Sequence, residues 1–127
     1  MINIKNGSIQ LSDGTILDGS FSFGNFQTTK YYDNQDETRV ITLSPTQKIG
    51  EEEFVITIRF KNGRLNYISL ISTTLDFSEK DEPLRKEHHD KILQNWHVDC
   101  GEYNWGRLES EYDKRGNISS INIYYKG

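Results

Sequence analysis

Between residues 54 and 71 the chain alternates apolar and polar side chains on both sides of an Asn-Gly pair. That pattern leaves little choice of local fold. Phe54, Ile56, Ile58 and Phe60 recur at period two, Asn62-Gly63 follows, and Leu65, Tyr67, Ser69 and Ile71 return at the same period. Period two is the repeat of a pleated strand with one buried face. Asn-Gly tolerates the positive φ angles of a type I′ turn, whose twist matches that of the flanking strands. A two-residue turn pairs Phe60 with Leu65, Ile58 with Tyr67 and Phe54 with Ile71, which builds one continuous apolar face. The other face carries Val55, Thr57, Arg59, Asn66, Ile68 and Leu70, a mixture that another element could half cover.

Two more hairpins are expected. At the N-terminus, Ile2 and Ile4 lead into Asn6-Gly7, and Ile9 and Leu11 return. A two-residue loop sets Ile4 opposite Ile9 and Ile2 opposite Leu11, all on one face. Asp13-Gly14 marks a second turn, and residues 16–26 are ambiguous because Gly19 and Gly24 interrupt the alternation of Phe21 and Phe23. At the C-terminus, Leu108, Ser110 and Tyr112 run into a turn at residues 113–117, and Ile121, Ile123 and Tyr125 return. A short strand is expected over Thr38 to Leu43, ended by Ser44-Pro45.

One helix is expected, from about Glu79 to Trp96. Ser78 offers an N-cap with Asp81 at the capping-box offset. Glu79, Asp81 and Glu82 suit the positive end of the helix dipole, and Pro83 is tolerated because it sits near the start. Leu84, His88, Ile92 and Trp96 fall on one stripe, with Leu93 beside it, and Gly101 follows the end. Strands, then a helix, then strands imply an α+β fold: a mostly antiparallel sheet of three hairpins with this helix on one face. We choose the face with Phe54, Ile56, Ile58 and Phe60 for the helix. A small open barrel is the alternative. Residues 1–127 read as a single domain, since no repeat, low-complexity tract or linker divides them.

Composition narrows the function classes. There is no alanine, and there are 14 isoleucines, which favours sheet over helix. The formal charge is −4 and the isoelectric point about 5.3, so a basic nucleic-acid binder is not expected. No apolar run approaches the roughly 20 residues of a membrane span. Met1 to Lys5 lacks the apolar core of a secretory leader, and one cysteine cannot form a disulfide framework. A lone thiol without a leader points to the cytoplasm.

Four residues could carry chemistry in the middle of the chain: His89, His97, Asp99 and Cys100. His97-x-x-Cys100 has the composition of a local chelate, and with Asp99 and His89 it is the alternative to a binding role, as a small metal-dependent or Cys/His hydrolase. The spacing opposes a complete site. His88 and His89 point about 100° apart on a helix, and His89 lies roughly 12 Å along the axis from His97. Cys100 follows a helix C-terminus between acidic residues, which disfavours the thiolate. The carboxylate pairs, such as Glu109 with Glu111, alternate along a strand as its wet face. Gly14-x4-Gly19-Ser20 lacks the lysine of a phosphate loop. No metal, cofactor or catalytic residue is therefore assigned. A third possibility is a ligand-binding half-barrel lined by Phe54, Ile56, Phe60 and Tyr67.

The most partner-like feature is the polar loop with Tyr31, Tyr32, Asp33, Asp36 and Glu37. Tyrosine supplies rigid contact area with a polar tip, and acidic groups steer basic partners. Further along stand His89-Asp90-Lys91-Ile92-Leu93, Tyr103-Asn104-Trp105-Gly106, Glu111-Tyr112-Asp113 and Ser119-Ser120-Ile121. Together with the Asn6-Gly7 turn and Phe60-Lys61-Asn62-Gly63-Arg64-Leu65, this pattern resembles small bacterial immunity proteins of polymorphic or contact-dependent toxin systems. The resemblance implies a cytoplasmic, non-catalytic inhibitor that binds a toxin domain and covers its active site or another needed surface. It brings no catalytic residues. A protein partner is expected, of basic character such as a nuclease toxin, with no nucleic acid and no membrane. The oligomeric state stays open.

Overall fold

The computed structural model describes residues 1–36 and 39–127, so Glu37 and Thr38 lie outside the described residues. The architecture is α+β. Among the described residues nine strands are present: β1 (Ile9–Gln10), β2 (Ile16–Leu17), β3 (Val40–Thr42), β4 (Gln47–Ile49), β5 (Glu52–Lys61), β6 (Arg64–Ser72), β7 (Gly101–Tyr103), β8 (Gly106–Asp113) and β9 (Ile118–Tyr125). A short helix α1 spans Phe23–Phe26. The main helix α2 spans Glu82–Asn95 and is preceded by a 3₁₀ turn at Glu79–Asp81. The sheet is antiparallel, in the order β3-β5-β6-β9-β8-β7, with β4 also pairing with β5.

The central hairpin forms where expected. Asn62 (φ 53°) and Gly63 (φ 77°) both adopt positive φ, as a type I′ turn requires. Its register differs from the expectation. Phe60 pairs with Leu65, but Arg59 pairs with Tyr67 and Ile58 with Ile68. Asn66 is the extra residue of a β-bulge, so every side chain beyond it changes face. Ile68 and Leu70 therefore point inward and are fully buried, while Tyr67, Ser69 and Ile71 point outward with Val55, Thr57 and Arg59. The proposed half-barrel lining is corrected in the same way. Phe54, Ile56 and Phe60 are buried, and Tyr67 stands on the other side of the sheet.

The inner face is covered twice. Helix α2 lies over β9, β8 and β6, and the Trp96 ring sits 5.9 Å from that of Phe54, on the face chosen from sequence. The N-terminal segment covers the other end, where Phe23 and Phe26 stand 5.3 and 5.8 Å from Phe60. Within the ambiguous stretch 16–26, residues 23–26 form α1 because Ser22 Oγ accepts from Asn25 N and Asn25 Oδ1 accepts from Ser22 N, a reciprocal cap.

The expected N-terminal hairpin is also corrected. Asn3 pairs with Ser8 across a four-residue loop, Ile4 is exposed, and β1 pairs with β2 across the Asp13-Gly14 turn. Trp105 Nε1 donates to Ile4 O (2.8 Å) and Tyr125 Oη donates to Gly7 O (2.6 Å), so the loop geometry follows its docking partners.

The main helix is rotated relative to the expected stripe. Leu84 is exposed, and the inward residues are His89, Ile92 and Leu93. Ser78 does not cap the backbone; its hydroxyl donates to Asp81 Oδ2 (3.2 Å). The helix start is instead tied down by Glu82, whose Oε2 accepts from Ser119 N (3.0 Å) and pairs with Arg85 Nε (3.1 Å). Among the described residues no helix is long and apolar enough to cross a membrane.

Candidate functional site: the helix-free sheet face

The outer face of the sheet is built from two cross-strand rows. The first runs Val40, Arg59, Tyr67, Tyr124, Arg107 and Glu102 across six strands. The second runs Thr42, Thr57, Ser69, Asn122 and Glu109. At the centre of the first row, the Tyr67 and Tyr124 rings lie 5.2 Å apart. The Arg59 guanidinium sits 4.8 Å from the Tyr67 ring and that of Arg107 4.2 Å from the Tyr124 ring. Each cation is thus held against an aromatic face, an arrangement stabilised by the ring quadrupole.

A hydrogen-bonded chain crosses between the rows. Tyr67 Oη donates to Asn122 Oδ1 (2.6 Å), and Asn122 Nδ2 donates to Glu111 Oε1 (2.9 Å). Tyr124 Oη donates to the same Glu111 oxygen (2.8 Å). Asn122 is 5 % exposed and has both ends of its amide satisfied, so it fixes the tilt of Tyr67 and Glu111 together. Burial, then donation to Glu111 and the charge of that carboxylate, pushes the Tyr124 phenol up to about 12. Tyr67 is also raised, first by burial. Both hydroxyls therefore act as donors at neutral pH. Beside them runs a groove of about 590 Å³ whose charged lining residues are Glu111 and Asp113.

The loop singled out in the sequence has a different character. Tyr31 is 6 % exposed and belongs to the core, with its hydroxyl 3.3 Å from Gln47 Oε1. Tyr32 is half-buried, edge-on to Phe23 and Phe26, and donates to Asp36 Oδ1 (2.5 Å). Asp36 also accepts from Gln27 Nε2 (2.9 Å), and Asp33 is exposed. Glu37 lies outside the described residues. The loop thus spends much of its polar capacity on itself.

The His/Cys cluster is divided. His89 is fully buried, with Nε2 accepting from Ser72 N (3.0 Å). His97, Asp99 and Cys100 share a separate groove of about 500 Å³ with Asp90 and Gln94. Partial burial of the Cys100 thiol, then the carboxylates of Glu109 and Asp90, holds its pKa above the ordinary value, against thiolate formation. Among the described residues no three His, Cys, Asp or Glu side chains converge on a common metal position.

Sequence reasoning missed Arg59, Asn122 and Arg107, and it put Tyr67 on the wrong face. One signal was available: Ser120, Asn122 and Tyr124 alternate with the buried Ile121, Ile123 and Tyr125. That alternation marks a strand whose outer face is polar and aromatic. No protein-family model, no curated protein and no solved structure matches the chain.

Proposed function

We propose that this chain is a non-catalytic protein-binding module that grips its partner with the helix-free face of the sheet. In keeping with the resemblance to immunity proteins, the partner is a toxin domain of basic character, and binding neutralises it in the cytoplasm. One observation carries the reading: the Arg59–Tyr67–Tyr124–Arg107 row, whose two tyrosines are held by hydrogen bonds to Asn122 and Glu111 on the same face. Tyrosine and arginine are the residues most enriched at interface hot spots, and here they are already ordered, so binding costs little further side-chain entropy. The β8 side of this face adds Glu109, Glu111 and Asp113, which supply the acidic half of a complementary contact.

The test compares three tagged proteins: wild type, a Tyr124→Ala/Glu111→Lys double variant, and a Tyr32→Ala/Asp33→Ala/Asp36→Ala loop variant. Each is checked for folding by circular dichroism and used to capture partners from source cells. The expected result is a basic protein retained by wild type and by the loop variant but lost by the face variant. Its expression alone should arrest growth, and wild type should relieve the arrest. Equal capture by the face variant would move the interface off the sheet, and failure to relieve arrest would remove the neutralising role.

A further inference from the structure

We infer that the groove beside Glu111 receives one basic side chain, lysine or arginine, projected by the protein partner. This inference rests on the sheet face being the interface. A cationic side chain needs a carboxylate held in place, an apolar wall for its methylenes and freedom from competing cations. Glu111 meets the first need. Its Oε1 is held by Asn122 Nδ2 and Tyr124 Oη, while its Oε2 accepts no hydrogen bond from the described residues. Preordering of this kind spares the entropy that a surface carboxylate usually loses on pairing.

The second need is met by Ile71 and Ile118, which line the groove along with the Tyr67 ring. Ser69 and Ser120, 9 % and 8 % exposed, have short side chains that leave room above the strands. The third need follows from where the arginines go. Arg59 and Arg107 are drawn over the Tyr67 and Tyr124 rings and do not line the groove, whose charged members are both carboxylates. Coulomb repulsion then disfavours an acidic occupant, and the long apolar stem and charged tip of lysine or arginine fit a groove lined by both apolar and acidic side chains.

The experiment is an NMR titration of the ¹⁵N-labelled full chain with tri-arginine, tri-lysine and tri-glutamate peptides and with maltotriose. The expected result is that a basic peptide shifts the amides of Ser69, Ser120 and Asn122, that the shifts weaken with salt, and that Glu111→Gln lowers the affinity about fivefold. Tyr124→Phe keeps the ring but removes one of the two hydrogen bonds that hold Glu111, and is expected to lower it by a smaller factor. Comparable shifts with tri-glutamate or maltotriose, or unchanged affinity in Glu111→Gln, would overturn the inference. If no basic peptide binds while the face variant still loses its partner, the groove occupant is wrong and the interface stands. If the face variant keeps its partner, both fall.

Discussion

His97 occupies a backbone position that usually belongs to glycine. It stands just beyond Trp96, the C-cap of α2, with φ 57°, in the left-handed region. His97 N donates to Gln94 O (3.0 Å) and Val98 N to Leu93 O (3.0 Å), the paired bonds of a Schellman motif, and Val98 and Leu93 are both buried. The left-handed conformation costs a residue with a Cβ roughly 1 kcal/mol. His97→Gly should therefore raise stability by about 1 kcal/mol, seen as a higher urea midpoint with an unchanged slope. An unchanged or lower midpoint would mean that the imidazole makes stabilising contacts that outweigh the strain. From the sequence alone, His97-x-x-Cys100 looks like chelate spacing and Gly101 looks like the helix stop. Only the backbone angle shows that His97 itself ends the helix.

At the scale of the element, the hairpin of β5 and β6 explains both what could be read and what could not. Alternation and Asn62-Gly63 were sufficient for the strands and the turn. They were insufficient for the register beyond Leu65, because two alternations coexist there: Leu65, Tyr67, Ser69, Ile71 and the competing Ile68, Leu70. The bulge at Asn66 lets the chain bury Leu65 and also Ile68 and Leu70. Burying each aliphatic side chain contributes about 1.5–3 kcal/mol, whereas one disturbed ladder hydrogen bond costs about 1 kcal/mol. Deleting Asn66 would remove the extra residue itself, restore an unbroken ladder and keep Leu65, Ile68 and Leu70 all inward. The deletion should therefore change stability by less than about 1 kcal/mol by urea unfolding, while Leu70→Ala, inward in this register, should cost about 2–5 kcal/mol. A deletion as costly as Leu70→Ala would show that the bulged residue is itself needed to pack Ile68 and Leu70. The same bulge brings Tyr67 opposite Tyr124, so the candidate site could not be read before the register was known.

For the molecule as a whole, α2 is joined to the sheet at one buried polar seam. Ser72 N donates to His89 Nε2, the Arg85 guanidinium donates to Ser72 O, and Ser119 Oγ donates to Glu82 O (2.9 Å). Burial, then the neighbouring His88 and Arg85, pushes the His89 imidazole down to about 4. A folded-state value below the unfolded one means that the unfolded chain binds the extra proton first. Stability from this group is therefore complete above about pH 6.5 and is lost as pH falls from about 6.5 towards 4, by up to about 3 kcal/mol. Protonation would also replace the acceptor of the Ser72 amide with a second donor. Urea unfolding between pH 4 and 8 should show the midpoint falling across this window, and His89→Gln should flatten the fall. A wild-type midpoint that is level down to pH 4 would show that His89 does not titrate this way.

The sequence by itself determined the α+β class, the central and C-terminal hairpins, and the extent of the main helix within a few residues. Those features follow from local causes: period-two alternation, Asn-Gly turn chemistry and acidic residues at a helix start. The tertiary structure decided the rest. Ile68 and Leu70 competed with Tyr67 and Ile71 for the core, and the winner depended on packing against β9 and α2, which lie far away in the chain. The rotation of α2 followed from Glu82, Arg85 and His89 finding Ser119 and Ser72. The outer row of Arg59, Tyr67, Tyr124 and Arg107 exists only once three strand registers are set. A site assembled across strands has no spacing of its own in the sequence.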